Sequence, residues 1–192
     1  MQKRVYMGRL AVVILAMVAV VTSCVATDIY APKQRSQIEK YLTSKGLEYT
    51  ITTDSAYVHL GGNKFGLTAE DDRGAVIGDV AKKGDVVTFN VEAYEFNSSP
   101  DGTPFYTNKQ RIAEAISSDL DTSYWNFDPY VVTLGRGEIL NALDEALVGS
   151  LVGDSLAVFM TSSIAYGAEG MGVVPANTAV MMVLTVEELT KK

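Results

Sequence analysis

The sequence predicts an α+β fold, in which an antiparallel and strongly bent sheet of about five strands wraps around one short helix. Apolar residues alternate through 155–160 and again through 180–186, and this period of two is typical of half-buried strands. A run over 138–147 instead repeats its apolar residues with the period of a helix. The glycine-rich segment 165–175 joins the two strand-like runs and is too long for a tight hairpin. A sheet packed against a single helix accommodates all three features.

The N-terminal residues resemble a secretion signal. Lys3, Arg4 and Arg9 precede an apolar run, 10–21, that is too short to span a bilayer. The run ends in Val21-Thr22-Ser23-Cys24, which resembles a bacterial lipobox, where a cysteine after small residues is lipid-modified and becomes the new N-terminus. We therefore predict a lipoprotein signal peptide over 1–23 and lipidation of Cys24. An ordinary signal peptide with a chance cysteine, or an uncleaved anchor, is the alternative.

The predicted processing sets the organisation and the location of the rest of the chain. A tether covers 24–33, a helix and strand extension covers 34–83, and the main domain covers 84–192 with an insertion at about 106–129. Cys24 is the only cysteine, so no intramolecular disulfide can form. The predicted location is the cell envelope, where the chain is lipid-anchored to a bacterial membrane, periplasmic or surface-facing, with the outer membrane as the expected one.

Acidic residues dominate the charge. After removal of the signal, 13 of the 16 basic residues remain against 23 acidic residues, a formal charge of −10. Such a surface repels polyanions, which argues against nucleic-acid binding. It also repels anionic lipid, so the membrane affinity has to come from the lipid anchor.

The extension is predicted to hold one helix over 34–44 and strands over 47–52 and 56–60. His59, the only histidine, has neither a cysteine nor a second histidine to join it, so a surface or packed role is expected and no metal site is predicted. The acidic run 70–73 lacks the ligand spacing of an EF-hand and is interpreted as a solvated loop. The chain also lacks a Ser-His-Asp set and a phosphate-binding loop with its lysine.

The main domain begins with a long predicted strand over 86–96 and a turn over 97–102. Helical spacing then predicts a helix over 110–120, and an aromatic segment, 124–129, follows it and ends in a proline. The loop 165–175 has the composition of a binding loop, because its glycines let the backbone bend and apolar side chains flank its base.

An ordered series of short motifs runs through the main domain. Its later part comprises Leu134-Gly135, Glu138-Ile139-Leu140, Asp144-Glu145-Ala146-Leu147, Val152-Gly153-Asp154, Ala165-Tyr166-Gly167 and Gly172-Val173-Val174-Pro175. Its earlier part comprises Gly84-Asp85-Val86-Val87-Thr88 and Asp101-Gly102-Thr103-Pro104-Phe105. In order and spacing the series resembles the pattern of FKBP-type peptidyl-prolyl cis-trans isomerases, and a spaced set is far more specific than one motif. The resemblance implies an FKBP-like fold and isomerisation of X-Pro bonds in proline-containing polypeptides that are exported, without a cofactor.

The resemblance also implies roles for single residues. Three positions match catalytic positions of the family: Phe105, Tyr166 and Leu140, whose backbone N–H would hold a substrate carbonyl. Six positions match substrate-binding ones: Tyr130, Ile139, Leu143, Val173, Val174 and Met182. Four positions carry a side chain that differs from the family's: Leu143 for a tryptophan, Tyr106 for an aspartate, Val91 for a tyrosine and Met182 for a phenylalanine. The implied pocket is therefore apolar but less aromatic, and it lacks its acidic member.

These departures leave more than one class of function open. In the first, the protein is an active isomerase that assists the folding of exported proteins. In the second, the same fold is a peptide-binding or chaperone module with little or no isomerase activity. A third option is a structural lipoprotein whose cleft is filled by its own inserted segment. The aromatic residues at 124–129 either change what can enter the cleft or only pin the inserted helix to the domain.

Overall fold

The computed structural model describes residues 29–61, 80–116 and 125–192, which form three helices and seven strands. The helices are α1 (Ala31–Ser44), α2 (Gln110–Ile116) and α3 (Asn141–Leu147). The strands are β1 (Tyr49–Ile51), β2 (Ser55–Gly61), β3 (Val86–Phe96), β4 (Tyr106–Thr107), β5 (Tyr130–Thr133), β6 (Ser155–Met160) and β7 (Ala179–Thr190). A short 3-10 turn, Ser162–Ile164, follows β6.

Several predicted features lie outside the described residues. They are the signal peptide, the lipidation site Cys24, the first part of the tether and the acidic run 70–73. Within the described ranges, every helix is too short or too polar to cross a membrane.

All seven strands join one antiparallel sheet. Six of them lie in the order β1-β2-β6-β7-β3-β4, and the seventh, β5, also pairs with β3. The long strand β3 pairs with β7 along one edge, from Val86 to Phe96. Its other edge is shared, because Val86–Phe89 pairs with β5 and Glu92–Ala93 pairs with β4. This arrangement brings Tyr130 of β5 beside Phe89, on the same part of the sheet as Tyr106 of β4.

The central strands bury side chains on both faces of the sheet. On β3, Val87, Phe89, Val91 and Ala93 point to the face covered by α3, whereas Phe96 belongs to the core under α1. On β6 and β7 the same alternation divides the apolar residues between the two cores. We call these surfaces the α3 face and the α1 face.

Helix α1 covers its face through buried residues at helical spacing, including Ile38 and Leu42. Pro32 lies in the first turn, where its missing N–H costs nothing. Gly46 follows the helix with a φ of +63°, a left-handed conformation that glycine adopts without strain. The extension therefore packs as part of the same sheet structure.

The predicted α+β class is confirmed, while the start of the central helix and the number of strands differ from the prediction. The central helix begins at Asn141 and not at 138, because Gly135 and Gly137 hold left-handed turns ahead of it. The described sheet has seven strands where about five were expected, since the extension adds β1 and β2 beside β6. The inserted helix is described from Gln110 to Ile116, and the rest of the predicted 110–120 segment lies outside the described residues.

Candidate functional site

An apolar cavity of about 420 Å³ opens on the α3 face of the sheet. Strand β3 supplies its floor, the start of α3 supplies one wall, and the loop after β6 supplies another. Its lining consists of Phe89, Val91, Ala93, Tyr106, Tyr130, Ile139, Leu140, Leu143, Ala165, Tyr166, Met171 and Met182. Apart from three tyrosine hydroxyl groups, these side chains are apolar. Such a cavity can bury a small apolar ring and exclude water from it.

The structure brings six of the nine residues predicted from the resemblance to this cavity. They are Tyr166, Leu140, Tyr130, Ile139, Leu143 and Met182. They come from β5, α3 and its leading turn, the loop after β6, and β7, so the fold gathers them from distant parts of the sequence. Their roles toward a substrate stay predictions.

Phe105, Val173 and Val174 do not line the cavity. The Phe105 ring lies edge-to-face against Tyr166, with 6.2 Å between the ring centroids, and so contacts a residue of the wall. Val174 is buried in the core of the α3 face, whereas Val173 is 73% exposed. Two backbone hydrogen bonds between Met171 and Val174, 2.9 and 3.1 Å long, form a tight turn with Val173 near its tip.

Four lining residues were not predicted: Phe89, Ala93, Ala165 and Met171. Strand alternation on β3 could have identified the first two, because they share a face with Val91, which was aligned with a family pocket position. Ala165 adjoins Tyr166 in sequence. Nothing in the local sequence distinguishes Met171, which reaches the cavity through the turn just described.

Three phenols stand at the cavity. The Tyr130 hydroxyl donates to the Tyr106 hydroxyl at 3.2 Å, and the Tyr130 ring stacks on Phe89 with centroids 5.6 Å apart. Burial raises the pKa of Tyr106 well above its ordinary value, and the hydrogen bond from Tyr130 adds to that. Burial likewise raises the pKa of Tyr166. The phenols of Tyr106 and Tyr166 are therefore neutral at physiological pH and can donate hydrogen bonds.

Two hydrogen-bond donors belong to residues of the cavity lining and lack an acceptor in the described part of the chain. Among the described residues, neither the Leu140 amide N–H nor the Tyr166 hydroxyl group has a hydrogen-bond acceptor. Leu140 precedes α3 with extended backbone angles, and its carbonyl accepts from Leu143 and Asp144, so the residue is held in place. A bound peptide can therefore meet one backbone donor and one side-chain donor.

The loop that carries Tyr166 has a defined shape. The Gly167 amide donates to the Ser162 carbonyl at 2.7 Å, and the Asn177 amide donates to the Gly167 carbonyl at 2.9 Å. A Cβ atom at Gly170 would lie less than 3.0 Å from backbone atoms of Val174, Pro175 and Ala176. Because only glycine fits there, the loop folds back closely on itself.

The described part of the insertion leaves the cavity open. The Trp125 ring lies 5.7 Å from Tyr106 and 6.3 Å from Phe127, and neither Trp125 nor Phe127 lines the cavity. These rings pack behind Tyr106 and fix that side of the rim. Tyr124 and residues 117–123 lie outside the described residues.

His59 has a packed position on β2. Its Nε2 lies 3.4 Å from a carboxylate oxygen of the fully buried Asp154. In the described part of the chain, no group of three or more potential ligand side chains is placed to hold a metal ion.

Comparison with known proteins gives a consistent set of matches. A family model described as FKBP-type peptidyl-prolyl cis-trans isomerase matches residues 78–187. Peptidyl-prolyl cis-trans isomerase FKBP9 of Rattus norvegicus is 37% identical over 59 residues, 30% of this chain and 10% of that protein. FK506-binding protein 1A of Neurospora crassa is 31% identical over 62 residues, 32% of this chain and 52% of that protein.

A solved structure has a similar fold. The crystal structure of FkpA from Escherichia coli matches with a TM-score of 0.54 at 17% identity, over 83% of this chain and 58% of that chain. The aligned part of the chain spans about a tenth of the rat protein and about half of the Neurospora protein. The range matched by the family model, 78–187, contains every residue that lines the cavity.

Proposed function

Because this chain belongs to the family of FKBP-type peptidyl-prolyl cis-trans isomerases, we propose that it isomerises X-Pro bonds in exported polypeptides. The observation that carries the proposal is the apolar cavity of about 420 Å³, which six residues at family site positions line. Its size and lining suit a proline ring with one neighbouring residue.

The chemistry requires no polar catalytic group. The X-Pro bond has partial double-bond character, with a rotation barrier of roughly 18–20 kcal/mol. Its cis and trans forms differ by only about 0.5–1 kcal/mol, so the task is purely kinetic. Twisting the C–N bond breaks the resonance and makes the amide less polar. A dry apolar cavity therefore favours the twisted amide over the planar one, and this differential binding lowers the barrier.

Named groups orient the substrate in this scheme. The Leu140 amide N–H holds a substrate carbonyl at the rim while the ring is buried against Phe89 and Leu143. The neutral Tyr166 hydroxyl donates a second hydrogen bond to the peptide. Phe105 acts through Tyr166, since its ring supports the Tyr166 ring.

A non-catalytic peptide-binding or chaperone role is the second candidate. The specific observation in its favour is the apolar rim, where Met171 is 61% exposed and Val173, in the same turn, is 73% exposed. Tyr106 replaces the family's aspartate, and its hydroxyl bonds to Tyr130 instead of presenting a carboxylate to the cavity. A rim of this kind binds unfolded segments even where turnover is slow.

The proposed place of action is the cell envelope, with the protein attached to a bacterial membrane through lipid on Cys24. The sequence pattern before that residue supports this proposal. Mass spectrometry of the protein isolated from membranes tests it. A mature N-terminus at Cys24 with attached acyl chains is expected, and an unmodified residue 24 would contradict it.

A protease-free prolyl isomerisation assay on residues 25–192 tests the activity. We expect acceleration of cis-trans exchange in an X-Pro peptide, and a rate equal to the uncatalysed one would eliminate the enzymatic function. Tyr166→Phe is expected to weaken substrate binding about fivefold, the worth of one hydrogen bond, and Phe105→Ala to depress turnover more severely. Tyr49→Phe, at a tyrosine outside the cavity lining, is the matched control and should leave the kinetics unchanged.

A further inference from the structure

A second, polar hollow of about 540 Å³ adjoins the apolar cavity and shares the wall formed by Ile139 and Leu140. Its other walls come from Thr52–Ser55, the turn between β1 and β2, and from the first residues of α3, with Ile164 beside them. The turn belongs to the N-terminal extension and lies outside the region, 78–187, that the family model matches. The hollow is thus formed partly by residues inside the matched region and partly by the extension.

The hollow has a negative character. Its lining includes the carboxylates of Asp54 and Glu145 and contains no lysine or arginine. Asp54 forms an ion pair with Arg35 at 3.0 Å, whereas Glu145 is exposed and has no ion-pair partner within the described ranges. The field inside the hollow therefore comes chiefly from Glu145, with a contribution from Asp54.

The turn that forms one wall is held in place. The hydroxyl groups of Thr52 and Ser55 lie 2.5 Å apart, and the Thr161 amide donates to the Asp54 carbonyl at 3.0 Å. Because the Arg35 contact also fixes the Asp54 side chain, the wall is built before any ligand arrives. A preformed wall loses little conformational entropy on binding.

We propose that this hollow binds the residues that flank the proline of a polypeptide substrate, and that it favours lysine or arginine there over aspartate or glutamate. The proposal rests on the proposed function above. An extended chain advances at most about 3.3–3.6 Å per residue, so a segment leaving the apolar cavity on the α3 side crosses the Ile139–Leu140 wall within one or two residues. A cationic side chain then meets Glu145, and an anionic one is repelled.

The test is a peptide series that differs only in the residues one and two positions before or after the proline, with lysine, alanine or glutamate at each. We expect kcat/KM to fall in the order lysine, alanine, glutamate on one side of the proline. Glu145→Gln should reduce the lysine-to-glutamate ratio about two- to fivefold, as expected for a solvent-exposed ion pair. Added salt should also reduce the lysine-to-glutamate ratio of the wild-type protein.

Glu48→Gln is the matched control, because Glu48 is an exposed carboxylate of the same extension that does not line the hollow. It should keep the wild-type ratio. A wild-type ratio near one at every position, or a ratio that Glu145→Gln leaves unchanged, would overturn the subsite. If no peptide is turned over, the isomerase function fails instead, and the affinities of the same peptides from fluorescence anisotropy then decide the subsite.

A second observation concerns Gln34 of α1, which bridges both ends of the loop that carries Tyr166. Its Nε2 donates to the Asn177 carbonyl at 2.7 Å. Its Oε1 accepts from the Ser162 amide at 2.8 Å and from the Ser162 hydroxyl at 3.0 Å. Gln34 is buried, and its partners lie 128 and 143 residues away in sequence.

We infer that Gln34 is a positioning residue for the isomerase site, and this inference also rests on the proposed function. Ser162 and Asn177 are both hydrogen-bonded to Gly167, which directly follows Tyr166. Fixing these two residues therefore fixes the backbone from which the Tyr166 side chain projects. Without Gln34, two buried groups of Ser162 and the half-buried Asn177 carbonyl lose their partner, and the loop has to rearrange to satisfy them.

Gln34→Leu is expected to lower kcat/KM about five- to tenfold and to increase amide hydrogen exchange over 162–177, whatever the activity. Gln34→Glu keeps the acceptor and loses the donor, so an intermediate effect is expected. If the leucine variant does not fold, the glutamate variant carries the test. Gln37→Leu is the control, since Gln37 lies on the same helix and its side chain, within the described residues, bonds to the exposed Ser98 hydroxyl at 3.0 Å.

A double-mutant cycle separates positioning from general stability. If Gln34 acts through the loop, Gln34→Leu should cost clearly less activity in a Tyr166→Phe background than in the wild type. Additive effects, or wild-type kinetics and exchange in folded Gln34→Leu, would overturn the inference.

Discussion

The two faces of the sheet are built from the same strands and differ in what covers them. On the α1 face, the rings of Tyr41, Phe96 and Phe159 contact one another with centroids 5.5–5.9 Å apart and fill the space under the helix. On the α3 face, a cavity of about 420 Å³ remains open beside the helix. The α1 face is thus a filled core, whereas the core of the α3 face leaves a cavity open.

Helix length explains the difference. Helix α1 has 14 residues and α3 has seven, so at 1.5 Å per residue α1 covers about twice the length of sheet. The short helix leaves part of its face to be lined by the Tyr166 loop and by Tyr106 and Tyr130. An open apolar face lowers stability, and its presence beside six family site positions indicates use by a ligand.

The largest expected effect is a loss of stability on the α1 face. Leu42 is fully buried under α1, and Leu42→Ala should lower the free energy of unfolding by about 3 kcal/mol through lost burial and a new void. Urea denaturation measures it. The folded variant should keep the wild-type kcat/KM, because Leu42 belongs to the core of the α1 face, and no buried residue of that core lines the cavity. A loss below about 1 kcal/mol would mean that the α1 face is not tightly packed.

The same substitution on the open face provides the contrast. Leu143 borders the cavity, so fewer contacts are lost in Leu143→Ala, and we expect a stability loss at the lower end of the usual range, about 2 kcal/mol. Isomerase activity should fall instead, since the cavity wall recedes from the proline ring. Equal stability losses for Leu42→Ala and Leu143→Ala, with activity unchanged in both, would remove the distinction between the faces.

Much of this arrangement could be predicted from the sequence because it is local. Alternation identifies the long strands, and the spaced motifs place Tyr166, Ile139 and Leu140 at one site. The helix boundary was less predictable, since the turn ahead of α3 depends on the Asp144 carboxylate accepting the Gly135 amide at 2.8 and 3.0 Å. Apolar periodicity contains no signal for such a bond.

The remaining features depend on contacts between distant segments. Phe105 matches a pocket position, yet its ring contacts Tyr166 without lining the cavity. From the sequence alone, Gln34 would be interpreted as a surface residue of a short helix. It reaches the loop because α1 packs against the sheet. The polar hollow likewise exists because the extension's turn packs against α3's start.

The dependence of stability on alkaline pH tests the burial of one tyrosine on each face, Tyr106 and Tyr94. Burial raises the pKa of Tyr106 at the cavity, and burial together with the Glu92 carboxylate, 2.7 Å away, raises that of Tyr94 beside the α1 core. Above about pH 10, the unfolded chain loses these protons while the folded chain keeps them, so stability falls as pH rises. Tyr106→Phe and Tyr94→Phe should each lessen that fall, as denaturation at several pH values would reveal. An unchanged slope in either variant would contradict the burial of that phenol.

The smallest expected effect lies outside both faces, at the end of the sheet where β3 begins. The Asp85 carboxylate accepts from the Lys82 amide at 2.9 Å, from the Lys191 ammonium at 3.0 Å and from the Lys192 amide at 3.2 Å. The hydrogen bond from the Lys82 amide has the largest effect on the pKa of Asp85 and lowers it from its ordinary value of 3.8. The hydrogen bond from the Lys191 ammonium lowers it further. The stabilisation that the ionised Asp85 gives the folded chain is therefore fully present above pH 3.8. It is lost as the pH falls through the lowered pKa that Asp85 has in the folded state. Asp85→Asn should be less stable than wild type at neutral pH, with the gap closing in acid and kcat/KM unchanged throughout. A gap that persists in acid would show that Asp85 stabilises the chain by its shape and not by its charge.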